Sequence, residues 1–388
     1  MKVPFYKHNL NESDVAELLD TLSGVFLTSG PKTQSFEQKL ATYLGVGGAL
    51  GTTSWTTAAF LVLKAWGIGP GDEVVLPALT FIASSNVVLH CGAKPVFVDV
   101  ESKTGNMDLS CVPSALGPST RVILPVHLYG QMVDVARLAQ LVRDKGIKIL
   151  EDSAHCIEGT RKGAHPGQLS DAACFSFYAT KNITSGEGGA VASNDLDLLE
   201  QIKLLRLHGM SLSASDRYTS LYKHWDMTVL GYKANMSDIQ AALLLHQLER
   251  IDRLRERKEE ICQYYEREFK AAGIGFPQVE SDSISARHLF TIWAPPGQRD
   301  ALLGALQKAE IGVAVNFRPV HLMSYYRERF GYCPGMFPRA ERIGNQTLTL
   351  PMYPCLTDAQ VEYVAKTTIL EYRRLDKPCT PRCPEPTL

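Results

Sequence analysis

The chain of 388 residues carries 40 basic and 41 acidic side chains, a net charge of −1. That balance excludes a general electrostatic attraction to nucleic acid or to an anionic membrane. With 45% hydrophobic and 21% charged residues it has the composition of a folded globular protein, not of a disordered one. The length suits either two to three ordinary domains or one large α/β domain with a smaller companion.

The opening MKVPFYKHNLNESD has no apolar signal run, and no stretch of about 18 uncharged apolar residues follows, so neither a leader nor a membrane span is expected. In LGTTSWTTAAFLVLKAWG (50–67), Thr52, Thr53, Ser54, Thr56 and Thr57 precede an apolar helix. Such a helix N-terminus is either an anion site or an ordinary N-cap. Residues 73–76, 95–100, 122–127, 147–151 and 172–177 are predicted strands. They are continuously apolar, as strands buried on both faces are. A helix is predicted over 134–145, ended by Gly146. Alternating strands and helices imply an α/β fold, with a mostly parallel central sheet covered by helices on both faces. A long helical stretch over about 237–271 starts at a capping-box pattern, Ser237 and Gln240, and carries a stripe of Leu244, Leu248, Ile251 and Leu254. It is predicted to leave the large domain and enter a small α+β domain with strands 288–293 and 312–317 and a helix near 357–373. The expected division is 1–250 for the arm and large domain, 251–375 for the small domain, and 376–388 for a Pro-rich flexible tail. Nine scattered cysteines form no disulfide pattern, so a reducing cytoplasm is expected. Cys379 and Cys383 in the tail have no nearby histidine to complete a site, and no metal is expected.

The chemistry concentrates in 147–189. One apolar strand runs into Asp152, a carboxylate at the C-terminal strand end where α/β proteins bind ligands. A second runs into Ser176, Thr180 and Lys181, followed by the turn Gly186-Glu187-Gly188-Gly189. A desolvated lysine is a usable nucleophile and base. These groups suit pyridoxal 5′-phosphate (PLP), which requires a lysine for its Schiff base, a carboxylate to keep the pyridine nitrogen protonated, and donors for its phosphate. Each group also has an ordinary alternative as a surface lysine, a turn aspartate or a helix cap. Phe81, in PALTF, would stand at the same sheet edge, where an aromatic stacks on a flat ring or belongs to the core.

Taken in order, GTTSWTTAA, LPALTFIASSN, EDSAH, FSFYATKNITSGEGG and GYKANMSDIQAALLLHQLERID resemble the DegT/DnrJ/EryC1/StrS family of PLP-dependent aminotransferases of nucleotide-linked sugars, with the aspartate aminotransferase (fold type I) architecture. The resemblance runs from residue 29 to residue 357. It implies that Lys181 is the Schiff-base lysine and Asp152 the partner of the pyridine nitrogen. His155 matches the position beside the cofactor's 3-hydroxyl, Ser176 a phosphate ligand, and Phe81 the ring-stacking residue. Trp55 and Thr56 occupy phosphate-loop positions where the family often has Gly-Thr, so Trp55 is a departure. Asn235 resembles the residue that reaches the phosphate of the neighbouring subunit's cofactor, which implies a homodimer with shared sites.

Lysine at 181, where some relatives have histidine and dehydrate, implies transamination. The implied donor is L-glutamate, and the implied acceptor a keto group of a nucleotide-linked sugar. Residues 311–330 resemble members aminating a 4-keto sugar, either a 4-keto-6-deoxyhexose or a 4-keto-pentose. Arg318 and His321 are candidates to face the sugar or its diphosphate, and His208 and Lys32 are further substrate candidates. Amination at the sugar 3-position or of a keto-cyclitol, and a non-catalytic regulatory protein of the same fold, are the alternatives. A nucleotide-binding oxidoreductase lacks its G-x-G-x-x-G turn.

Overall fold

The computed structural model describes residues 1–211 and 224–376. Cys379, Cys383 and all of the expected tail except Asp376 lie outside the described residues. Strands β1 (Gly48–Thr52), β2 (Glu73–Pro77), β3 (Lys94–Val98), β4 (Thr120–Ile123), β5 (Lys148–Asp152), β7 (Ala172–Ser176) and β8 (Gly189–Ser193) form one sheet in the order β1–β8–β7–β5–β4–β2–β3. Only β8 runs against its neighbours. Among the described residues, two short antiparallel pairs complete the strands: β6 (Thr160–Arg161) with β9 (Ser283–Ile284), and β10 (Phe290–Trp293) with β11 (Thr347–Leu350).

All five strands predicted for the central sheet are present. β4 is shorter than expected, and Leu124–His127 continues only through an isolated bridge of Val126 with Asp152, with the His127 N–H bonded to the Asp152 carbonyl at 3.0 Å. β1 and β8 are absent from the sequence prediction because GALGT and GAVAS are rich in Gly and Ala and lack the β-branched signal.

Among the described residues, the α-helices before residue 272 are α1 (Glu12–Ser23), α2 (Pro31–Leu44), α3 (Trp55–Ala65), α4 (Ile82–His90), α5 (Val112–Ala115), α6 (Val135–Val142), α7 (Leu196–Leu205), α8 (Asp238–Glu249) and α9 (Ile251–Ala271). α6 stops before Gly146 because Arg143 turns extended, at φ −49° and ψ 136°. The Ser237–Gln240 capping box is formed. The long helical stretch is divided at Arg250, whose φ of −110° interrupts the helix. Leu244, Leu248 and Ile251 are buried beside Phe36, Phe175 and Phe177, while Leu254 is only half-buried.

A separate apolar cluster gathers Ile261, Tyr265 and Phe269 of α9 with Ile292, Leu302, Leu348 and Val364, and Val3 from the chain start joins it. The predicted strand 312–317 is not formed. Only Ala314 bridges, to Thr349, and just before it Val3 takes the Glu310 carbonyl and the Gly312 N–H. A side chain at Gly312 would sit 2.3 Å from the Phe5 nitrogen. The following segment folds back onto the large sheet, with the Val320 N–H bonded to the Ala78 carbonyl at 2.8 Å. Tyr326 therefore lies against Phe97 of β3, in the main core. Among the described residues, no helix is long and apolar enough to cross a membrane.

Arg250 ties the helix break to the N-terminal arm. Its guanidinium binds both carboxylate oxygens of the fully buried Asp14 and the Asn9 carbonyl, and Asp14 also completes the α1 capping box. Asp14→Ala is expected to lower stability by about 3 kcal/mol, since it leaves a partly buried guanidinium without its anion. Urea unfolding should show this as a lower midpoint.

Candidate active site

Parallel strands place their C-terminal ends at one edge of the sheet. There β5 ends at Asp152 and β7 at Ser176, β1 leads into Ser54, and β2 leads into Phe81. A cavity of about 520 Å³ opens at that edge, lined by Trp55, Thr56, Phe81, Asp152, His155, Ser176 and Lys181. Seven of the site residues expected from the sequence are thus brought together, although 126 positions separate the first from the last.

The α3 N-terminus has the form of an anion cradle. Ser54 Oγ accepts from the Thr57 N–H at 3.1 Å, and Thr57 Oγ1 accepts from the Ser54 N–H at 3.0 Å. The N–H groups of Trp55 and Thr56 make no hydrogen bond among the described residues. They are left for an anion, with the helix dipole behind them. Trp55 is 5% exposed and belongs to the main core as well as to the cavity wall, which is how the loop accommodates a large side chain. Close approach is achieved at Gly189, where a Cβ would stand 2.2 Å from the Ser54 carbonyl carbon.

Asp152 is buried. Oδ2 accepts from Ser84 Oγ at 2.7 Å and Oδ1 from the Ala154 N–H at 3.1 Å, while Thr80 Oγ1 lies 2.8 Å from Ser84 Oγ. Burial raises the carboxyl pKa, and Ser84, Ala154 and Lys181 oppose the rise. Lys181 follows β7 by five residues. Burial lowers its amine to about 8, against the attraction of Asp152. His155 is held neutral by burial and by Lys181, and Nδ1 accepts from the Tyr129 N–H at 3.3 Å. Its ring stacks on Phe317, with centroids 5.8 Å apart and planes 17° apart. Phe81, 54% exposed, faces Phe317 at 5.8 Å.

Other expected residues are elsewhere. Asn235 bonds Ser29 Oγ at 2.7 Å and lies outside the cavity of its own chain. Lys32 is ion-paired with Glu17 and, at 2.7 Å, with Asp20. His208 is exposed beyond the end of α7 in a left-handed turn, φ 57°. His321 is fully buried, bonded to Glu341 Oε1 at 3.0 Å and packed on Phe337, because its turn folds back under the large sheet. None of these three lines the cavity. Arg318 is exposed beside Phe317 and has no carboxylate partner among the described residues. Ser84, Asn182, His288 and Phe317 are absent from the sequence prediction. Ser84 and Asn182 had a signal, standing within LPALTFIASSN and FSFYATKNITSGEGG, and Phe317 lies in the 311–330 stretch.

The sheet order, the buried lysine and carboxylate, and the open helix terminus define a PLP-dependent transferase of fold type I. The chain belongs to the DegT/DnrJ/EryC1/StrS aminotransferase family, whose model matches residues 8–368. It is 39% identical to the spore coat polysaccharide biosynthesis protein SpsC of Bacillus subtilis, over 93% of this chain and 95% of that one. Its structure resembles the PLP form of Spr1654 from Streptococcus pneumoniae, with 32% identity, a TM-score of 0.91 and coverage of 97% and 100% of the two chains. It also resembles Helicobacter pylori PseC, an aminotransferase involved in the biosynthesis of pseudoaminic acid, with 27% identity, a TM-score of 0.89 and coverage of 96% and 100%. The chain is a PLP-dependent aminotransferase, and the donors and charges at the sheet edge fit that cofactor.

The Lys181 environment predicts a pH profile. In cofactor-free protein, acetylation of Lys181, read by mass spectrometry, should rise about tenfold per pH unit below about 8 and level off above it. A solvated lysine keeps rising to about 10.4. Asp152→Asn removes the charge that favours the ammonium, so the midpoint should fall further.

Proposed function

We propose that the enzyme transfers an amino group from L-glutamate to a keto group of a nucleotide-linked sugar, specifically a 4-keto-6-deoxyhexose or a 4-keto-pentose. The observation that carries the reading is the buried Lys181 amine sharing one cavity with Asp152 and with the unbonded N–H groups of Trp55 and Thr56. The relatives support a sugar substrate, since SpsC serves polysaccharide biosynthesis and PseC the biosynthesis of pseudoaminic acid.

Bound PLP supplies an electron sink for the carbanion formed at the amino donor. Lys181 is the attachment point and, once released, the base that moves the proton, a role its lowered pKa suits. Asp152, steadied by Ser84, keeps the ring nitrogen protonated. The Trp55 and Thr56 N–H groups and the Ser176 hydroxyl would hold the phosphate, Phe81 would stack on the ring, and His155 would stand beside the 3-hydroxyl. Arg318, exposed beside the cavity residue Phe317 and without a carboxylate partner among the described residues, suits the sugar's diphosphate.

Asn235, outside its own cavity, is read as a ligand of the second subunit's phosphate, which makes the enzyme a homodimer with shared sites. The exposed apolar residues Val15, Leu19, Leu22 and Val25, with Trp225, Met227 and Leu230, support such an interface. The free thiols of Cys91, Cys111, Cys156, Cys174, Cys262, Cys333 and Cys355 support a reducing cytoplasmic setting.

Borohydride reduction and peptide mapping should place the cofactor on Lys181. Lys181→Ala should lose both attachment and turnover, and attachment at another residue refutes the assignment. A panel of 3-keto and 4-keto nucleotide sugars and keto-cyclitols, with L-glutamate as donor, should show preference for a 4-keto sugar. Mixing Lys181→Ala with Asn235→Ala protein should restore activity, because the hybrid dimer has one intact site. A mixture no more active than its parts refutes the shared site.

A further inference from the structure

A buried polar chain runs from α9 to the cavity wall. Lys258, 3% exposed, donates to Glu158 Oε1 and to the Ala286 carbonyl, each at 2.8 Å. The Asn182 amide nitrogen donates to the same two acceptors, at 2.6 and 3.1 Å. Between a carboxylate and a carbonyl only the NH₂ end of the amide fits, so its oxygen is fixed on the other side. There Asn182 Oδ1 lies 2.9 Å from His288 Nδ1. An amide oxygen only accepts, so Nδ1 carries a proton. Burial, reinforced by His155, Lys181 and Lys258, holds the His288 ring neutral. A neutral ring protonated at Nδ1 leaves Nε2 as a bare acceptor.

That Nε2 has no partner among the described residues, and its ring lines the cavity. The adjacent His155 ring, 4.3 Å away between centroids, has the opposite character. Its Nδ1 accepts from the Tyr129 N–H, so its proton is on Nε2. One wall therefore offers a donor beside an acceptor. A bare acceptor is of no use to the carboxylates of an amino-acid donor, which only accept and are repelled by it. The hydroxyl groups of a sugar are donors.

We propose that Lys258, Glu158 and Asn182 are positioning residues that lock His288 as its Nδ1–H tautomer, and that His288 Nε2 accepts a hydrogen bond from a hydroxyl of the keto substrate. The hydroxyl contact rests on the sugar reading above; the tautomer lock does not.

Two measurements test it. Nitrogen NMR of histidine-labelled, cofactor-free protein, with the His288 signals assigned by their loss in His288→Phe, should show the proton on Nδ1. Asn182→Leu should release it to Nε2. A wild-type His288 protonated on Nε2 overturns the lock, and this reading needs no variant to fold beyond the assignment. In the holoenzyme, stopped-flow absorbance follows the two half-reactions separately. His288→Phe should slow the half-reaction with the keto sugar about 10- to 100-fold more than the one with L-glutamate. With wild-type enzyme, one member of a deoxy-sugar series should show a similar loss, which vanishes in His288→Phe. Equal slowing of both half-reactions, or a deoxy series without such a member, overturns the hydroxyl contact while sugar amination stands. A wild-type enzyme that aminates no nucleotide-linked keto sugar refutes the proposed function and the contact together, and leaves the tautomer to the NMR result.

Discussion

Withdrawal of the Lys181 amine from water is the condition on which the site depends. Burial lowers its pKa to about 8, and Asp152 limits the drop. Asp152 is itself pushed towards the neutral form by burial and is kept from it by Ser84, the Ala154 N–H and Lys181. Each charge is tolerable because the other is near, so neither residue has its properties alone. His155 and His288 are neutral in the same cavity, so they do not add cations to the Lys181 amine.

The sheet explains why these groups meet. β1, β2, β5 and β7 run the same way, so Ser54, Phe81, Asp152 and Ser176 arrive at one edge from four separate stretches of chain. The reversed strand β8 begins at Gly189, which has no side chain to keep it from the Ser54 carbonyl. The form of the α3 N-terminus thus depends on a glycine far along the chain as much as on the hydroxyl-rich loop.

The cavity also depends on the smaller apolar cluster. Val3 and residues 310–312 pair at the back of that cluster, and Phe5 and Phe317, on either side of this pairing, reach the cavity. Val320 then enters the main core. α9 carries Lys258 to Glu158 and Asn182, next to Lys181 in the chain. The lysine segment is therefore anchored from both clusters.

The α/β alternation, the five apolar strands, the Ser237–Gln240 cap and the chain order of Asp152 and Lys181 were all legible, because each is written in neighbouring residues or in a short period. The Gly- and Ala-rich strands β1 and β8 were not, since their pairing is imposed by the sheet. Residues 312–317 have strand composition but pair with another strand only at Ala314. Lys32, His208 and His321 carry the right chemistry for a substrate site, and their surroundings turned them elsewhere. Ser84 and His288 entered the site through hydrogen bonds spanning 68 and 106 residues. By itself the sequence determined which groups the protein has for chemistry and on which local elements they lie. The tertiary structure decided which of them share a cavity and in what protonation state, because desolvation and hydrogen bonding are set by neighbours distant in the chain, and such neighbours leave no periodic trace.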